Sequence, residues 1–130
     1  GMLKLTKSFD YIFASRYLSN AQSDDDTFIT KVGNYIFSKI GSIFFNLKLS
    51  DILYTFVICN TKKTKELNLK SKDFGFCVEL PIKVKRKKFT YTDIASHERN
   101  RHSGKKKVNA FVDGSKILLK MIKLFLNKKI

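Results

Sequence analysis

An α/β domain is what this 130-residue sequence predicts. Three short runs rich in aromatic and β-branched residues, at positions 9–17, 54–59 and 89–94, read as strands. They alternate with stretches whose apolar residues recur at helical spacing. No run of Pro, Gly and Ser separates one part from another, so residues 1–130 are expected to form one domain. The pattern calls for about three to four strands and about four helices.

Taken in order, residues 9–17 make a buried strand ending at Ser15 and Arg16, and residues 19–27 a polar loop. Asp24, Asp25 and Asp26 are placed to serve the N-terminus of the next helix. That helix, over 28–47, has an apolar face made by Val32, Tyr35, Ile36, Ile40, Ile43, Phe44 and Leu47. Its polar face follows Lys31, Asn34, Ser38 and Ser42, and Gly33 and Gly41 suggest close packing where they fall. A strand at 54–59 precedes a short helix from Thr61, a capping residue, to Leu69. Another helix starts near Asp73, and Pro81 is expected to kink or end it. After the strand at 89–94 comes a basic segment, 97–107, almost without apolar residues. The last helix, about 112–128, sets Lys116, Lys120, Lys123 and Asn127 opposite Ile117, Leu118, Met121, Leu124 and Phe125.

Twenty-six Lys and Arg against eleven Asp and Glu leave a net charge of +15, which favours phosphates, nucleic acid or an acidic membrane face. Nucleic acid is the least favoured of these, because no helix-turn-helix, zinc or RNA-binding signature accompanies the charge. No apolar run reaches the 18–20 or so residues of a membrane span. The expectation is therefore a cytoplasmic chain, or one peripheral to the inner membrane face. Cys59 and Cys77 read as buried thiols of a reducing compartment. Phe13, Phe37, Phe44, Phe56 and Phe76 sit in apolar runs and read as core, not as a base-stacking platform. His97 and His102 lack a Cys or second carboxylate at ligand spacing, so no metal site is expected.

Five segments occur in a telling order: Ser15-Arg16-Tyr17; Leu47 to Asp51; Phe74-Gly75-Phe76 followed by Glu79-Leu80; Arg99, Gly104 and Lys107; and Asp113-Gly114 opening the last helix. Together, from about residue 9 to residue 126, they resemble the C-terminal half of family 2 glycosyltransferases, above all the dolichyl- and polyprenyl-phosphate sugar transferases. Two departures accompany the likeness. After Asp51 the chain reads Ile52-Leu53-Tyr54-Thr55-Phe56-Val57, with Val57 where the family carries Arg, and Arg99 stands two residues further from Gly104 than in the family.

The resemblance implies a partial Rossmann-like GT-A glycosyltransferase fold, its C-terminal acceptor-side half. The N-terminal half, with the acidic motif for nucleotide sugar and metal, has no counterpart here. No cofactor is then expected on this chain, a divalent metal only in the complete enzyme, and little activity from the chain alone. The acceptor would be a polyprenyl phosphate or another phosphate-bearing molecule. Asp51 is the catalytic candidate, a carboxylate on the acceptor side for positioning or proton uptake, where the residues alone suggest only a turn. Arg99, Arg101, Lys105 and Lys107 are the phosphate candidates: Arg grips phosphate oxygens in a fork, Lys as a mobile point charge, and Gly104 permits close backbone approach. Arg16 is expected either to touch phosphate or to pair with a carboxylate, and Glu79 to hold a loop or a Lys. Without the other half, the strand ending at Ser15 would be an open edge, so a homodimer is expected.

Overall fold

The computed structural model describes residues 1–104 and 109–128. Helix α1 (Met2–Leu5) leads into strand β1 (Tyr11–Ser15), a two-residue strand β2 (Gln22–Ser23) and the long helix α2 (Phe28–Phe45). Strand β3 (Val57–Cys59), helices α3 (Thr61–Glu66) and α4 (Phe76–Arg86), strands β4 (Tyr91–Ala95) and β5 (His97–Glu98), and helix α5 (Ala110–Leu126) complete the chain. The mixed α/β class expected from the sequence is what folds; α1 and the short β2 and β5 carry too few residues for periodicity to reveal.

The main sheet has the order β3-β1-β4, with β1 antiparallel to β3 and parallel to β4. All five residues of β1 are buried, as an apolar run covered on both faces requires. Being central, β1 has no open edge. The argument for a homodimer through this strand is therefore overturned, because β3 and β4 of the same chain satisfy its backbone. β2 and β5 form a separate parallel pair, Gln22 opposite His97 and Ser23 opposite Glu98.

Helix α4 lies between two apolar clusters. Leu80 and Val84 pack with Tyr11, Phe13, Leu49 and Leu67 on the sheet side. Val78 and Ile82 pack with Leu47, Ile52, Ile117, Met121 and Leu124 on the other, beneath α5 and α2. Eight consecutive residues, Cys77 to Val84, are consequently buried. This explains why Pro81 does not end the helix, which continues to Arg86. A missing backbone donor costs about 3 kcal/mol, and burial on two sides offsets it. The helix begins at Phe76, later than expected, because Asp73 makes a turn instead and accepts from the Gly75 amide at 2.9 Å. At the far end, Arg86 donates to the carbonyls of Leu124 and, at 3.4 Å, Asn127, and its guanidinium stands 5.8 Å from the Phe45 ring.

Helix α2 turns inward only part of the apolar face expected of it, Ile40 packing against the core beside Phe37 and Phe45. Its buried residues are Asn34 and Gly41, whereas Val32, Tyr35, Ile36, Ile43 and Phe44 are exposed. Its inward side also carries polar groups because it serves a loop. Asn34 donates to the Ser50 carbonyl at 3.1 Å and accepts from the Leu53 amide at 3.2 Å, and Ser38 accepts from the Ile52 amide at 3.3 Å. Gly41 is tightly packed as expected, a Cβ there falling 3.1 Å from Ile52, but nothing crowds Gly33. The helix ends at Phe45 because Asn46 turns left-handed (φ 54°), which swings Leu47 into the core. Thr27 caps the other end, and Asn60, not Thr61, caps α3.

Three other expectations are corrected. Cys59 is exposed, since it closes the outer strand β3, and only Cys77 is buried. Phe44 and Phe56 are exposed, one on the outer side of α2 and the other beside the outer strand β3. Met121 is core, whereas Leu118 and Phe125 are exposed, so the apolar arc of α5 is divided between the interior and the surface.

Candidate functional site

β1 and β4 run parallel and end side by side, Ser15 opposite Ala95. Open α/β sheets place ligands just beyond the carboxyl ends of parallel strands. Here a cavity of about 330 Å³ occupies that position. Its wall includes Arg16 from the end of β1, Glu98 and Arg101 from the segment after β4, and Tyr54 from the stretch before β3. Thr30 and Gly33 of α2 and Ala110, Asp113 and Gly114 of α5 bring the first turns of two helices to the same place. The lining continues along one side of each helix to Phe37 and Ile117, and the first-turn amides are taken by the helices' own caps, Thr30 by Thr27 Oγ1 and Phe111 and Val112 by Asn109 Oδ1.

Arg16 is the centre of the arrangement. It is 8% exposed, and its guanidinium donates to Asp51 twice, Nε to Oδ2 at 2.8 Å and Nη2 to Oδ1 at 3.0 Å. The Arg16 amide donates to the same Oδ2 at 2.9 Å, and Nη1 reaches Glu98 Oε2 at 3.4 Å. The Tyr54 and Tyr17 rings lie 4.8 and 5.2 Å from the guanidinium carbon. Burial by itself would lower the basicity of Arg16, but the bonds and charge of Asp51 outweigh it and raise the pKa above its ordinary value. Arg16 is a fixed cation.

Asp51 is 2% exposed and does not line the cavity. With both oxygens bonded to Arg16 it holds that guanidinium in place. The loop holding it is fastened by Asn34 and by Asp93 of β4. Asp93 accepts from the Ser50 amide at 2.9 Å and from its hydroxyl at 2.7 Å, while Ser15 Oγ lies 2.6 Å from Ser50 Oγ. Glu98 also accepts from the Ser23 hydroxyl, which explains the pairing of β2 with β5.

The basic segment meets the acidic loop. Asp24 Oδ2 lies 2.9 Å from His97 Nε2, and Asp25 accepts from Arg101 Nε at 3.0 Å. Asp26 accepts from the Tyr17 hydroxyl at 2.6 Å, and burial together with this bond raises the Tyr17 pKa. The three aspartates therefore serve mainly this contact, Asp26 alone also reaching the Thr27 amide at the helix start. Of the phosphate candidates, Arg16 and Arg101 share the cavity; Arg99 is exposed and outside its wall, and Lys105 and Lys107 lie outside the described residues. Asp113 is committed to its own helix, accepting from the Asn109 amide at 2.7 Å, and Asn109 caps α5. Cys77 forms part of the wall, and burial pushes its thiol up to about 11, so it stays protonated at neutral pH.

Glu79, the carboxylate of the Phe-rich segment, stands away from this cavity. It accepts from the Lys70 and Ser71 amides at 2.9 and 2.7 Å and from Lys83 Nζ at 2.8 Å. Burial would raise its pKa, but Lys83 and the loop donors prevail and hold it at about 2. It fixes the loop before α4, as expected. Sequence reasoning missed Tyr54 and Glu98. Tyr54 looked like one more residue of a strand, and nothing in the local pattern of Glu98 marks its pairing with a residue 82 positions earlier.

Among the described residues no three His, Cys, Asp or Glu side chains converge as a metal site. Compared with known proteins, the chain matches no family model, no curated protein and no solved structure.

Proposed function

We propose that this chain is the acceptor-side part of a glycosyltransferase, and that its cavity receives the phosphate of a polyprenyl phosphate or another phosphate-bearing acceptor. The observation that carries the reading is the meeting of Arg16 and Arg101 in the wall of one cavity at the carboxyl ends of β1 and β4. The two carboxylates in its wall are already engaged, Glu98 with Arg16 and Ser23, and Asp113 with the Asn109 amide.

In the complete reaction, an acceptor phosphate oxygen attacks the anomeric carbon of the donor sugar. The bond from that carbon to the nucleoside diphosphate breaks, and the diphosphate leaves with the electron pair. A phosphate monoester loses its second proton near pH 6, so the nucleophile is ready at neutral pH and needs no general base. The chemistry is compatible with Asp51 serving only to hold Arg16. A nucleotide-sugar site would come from a donor-binding part whose acidic motif this sequence lacks, so the chain alone is expected to bind acceptor without turnover.

Calorimetric titration with a short-chain prenyl monophosphate tests the reading. Saturable binding is expected, weakened roughly tenfold or more by Arg101→Ala, because a charge-assisted bond to phosphate contributes about 1.5–3 kcal/mol. The Arg101 side chain is exposed, so folding should survive. Absence of saturable binding, or binding indifferent to this change, would sink the proposal.

A further inference from the structure

Among the described residues, sixteen large apolar side chains are exposed, and fourteen of them lie on α2 and α5, seven on each helix. Scattered exposed hydrophobics need no explanation, but a concentration of this kind marks a contact surface. The two helices lie side by side and parallel. Their first turns share the cavity, and their last turns meet through Phe125, whose ring stands edge-on to Phe44 and Phe45 at 5.4 and 6.1 Å. Each is about 25 Å long at 1.5 Å per residue. On α2 the exposed Val32, Ile36 and Ile43 follow one another at spacings of four and seven; on α5 Leu118, Ile122 and Phe125 do so at four and three. Each set is one stripe of its helix.

The charge on these helices is one-sided. α2 contains no Asp or Glu, and the single carboxylate of α5, Asp113, is buried and bonded to the Asn109 amide. On α2, Lys39 falls within the stripe and Lys31 to one side of it; on α5, Lys116 and Lys123 lie beyond Leu119 and Leu126, the exposed apolar residues on the far side of the stripe from the core. An apolar stripe set among lysines without exposed carboxylates matches an acidic bilayer face, where lysine stems lie along the apolar surface and their ammonium groups reach the headgroups. A second copy fits less well, since it would set lysines against each other on chains that each carry +15. No helix among the described residues is long and apolar enough to cross a membrane, so the fitting geometry is one lying in the interface.

We propose that the outer faces of α2 and α5 together form a docking surface for an anionic lipid bilayer. This goes beyond the acceptor reading and rests on none of the cavity residues. The test is flotation of the full chain with vesicles of phosphatidylcholine, alone or mixed with phosphatidylglycerol, at low and high salt. Binding to the mixed vesicles is expected to be about tenfold or more tighter than to the neutral ones, and to weaken with salt. Ile36→Glu combined with Ile122→Glu should abolish it while circular dichroism stays unchanged. Lys116→Ala with Lys123→Ala, which leaves the apolar stripes intact, should weaken binding to mixed vesicles by roughly tenfold. Equal binding to both vesicles, no binding, or indifference to either pair of changes would overturn the proposal. So would a lipid-free dimer that Ile36→Glu dissociates, which would assign the face to a second copy. Loss of prenyl phosphate binding in the Arg101→Ala variant, with vesicle binding kept, would separate this surface from the cavity.

Discussion

Helices α2 and α4 exchange the places that their compositions suggest. α4 carries Glu79, Lys83, Lys85, Arg86 and a proline in eleven residues, yet eight of them in succession are buried. α2 is the more apolar of the two, yet over eighteen residues it buries only Asn34 and Gly41. The difference lies in what surrounds each helix. α4 fills the space between the sheet and α5, so every side is covered and its charges must find partners inside. α2 closes the outside of the domain and turns inward the groups that a loop needs. Amphipathic patterning reports which faces of a helix differ, and the neighbours decide which face is covered.

The contrast can be tested from its strongest point. Glu79→Ala should destabilise the fold by about 3–5 kcal/mol, because it leaves Lys83 buried without its partner, and chemical denaturation would measure the loss. If the change costs less than about 1 kcal/mol, the α4 pair is not the tight internal contact described. Ile82→Ala, in the same buried turn, should cost about 2–5 kcal/mol through the cavity left behind. Acid should act through the first site as well. Glu79 has its folded pKa depressed to about 2 from an ordinary 4.5, so its contribution is complete above about pH 4.5 and is lost as pH falls toward 2. Denaturation midpoints across that window should decline less steeply in Glu79→Gln than in the unaltered chain. Smallest of all should be Ile43→Ala on α2, 72% exposed, which is expected to change stability by no more than about 0.5 kcal/mol. A loss of 2 kcal/mol there would mean that the outer face of α2 is covered in solution.

What could be read from the sequence follows the range of the interactions involved. β1, the strand at 91–95 and α5 were legible because their patterns are local, and Glu79 was recognisable as a partner for a loop or a lysine. Asp51 and Arg16 were both singled out, but their bonding to each other joins residues 35 positions apart, and no periodicity reports that. The inward polar positions of α2 were hidden for a related reason. Asn34 and Ser38 look like solvent residues until the backbone of Ser50 to Leu53 is brought against them. The central position of β1 depended on β3 and β4 closing around it, a matter of topology that the run 11–15 does not itself encode.

The guanidinium of Arg86 has a consequence for how the molecule opens. It stands at the end of α4, donates to the last carbonyls of α5 and faces the Phe45 ring at the end of α2. Three helix ends thus share one side chain. Ends usually fray independently, each exchanging its amide hydrogens at its own rate. Here the last turn of α5 should not open without disturbing the other two helices, although much of it faces solvent. Its amides should exchange together with those of α4, as one cooperative unit whose lifetime is set by the core beneath.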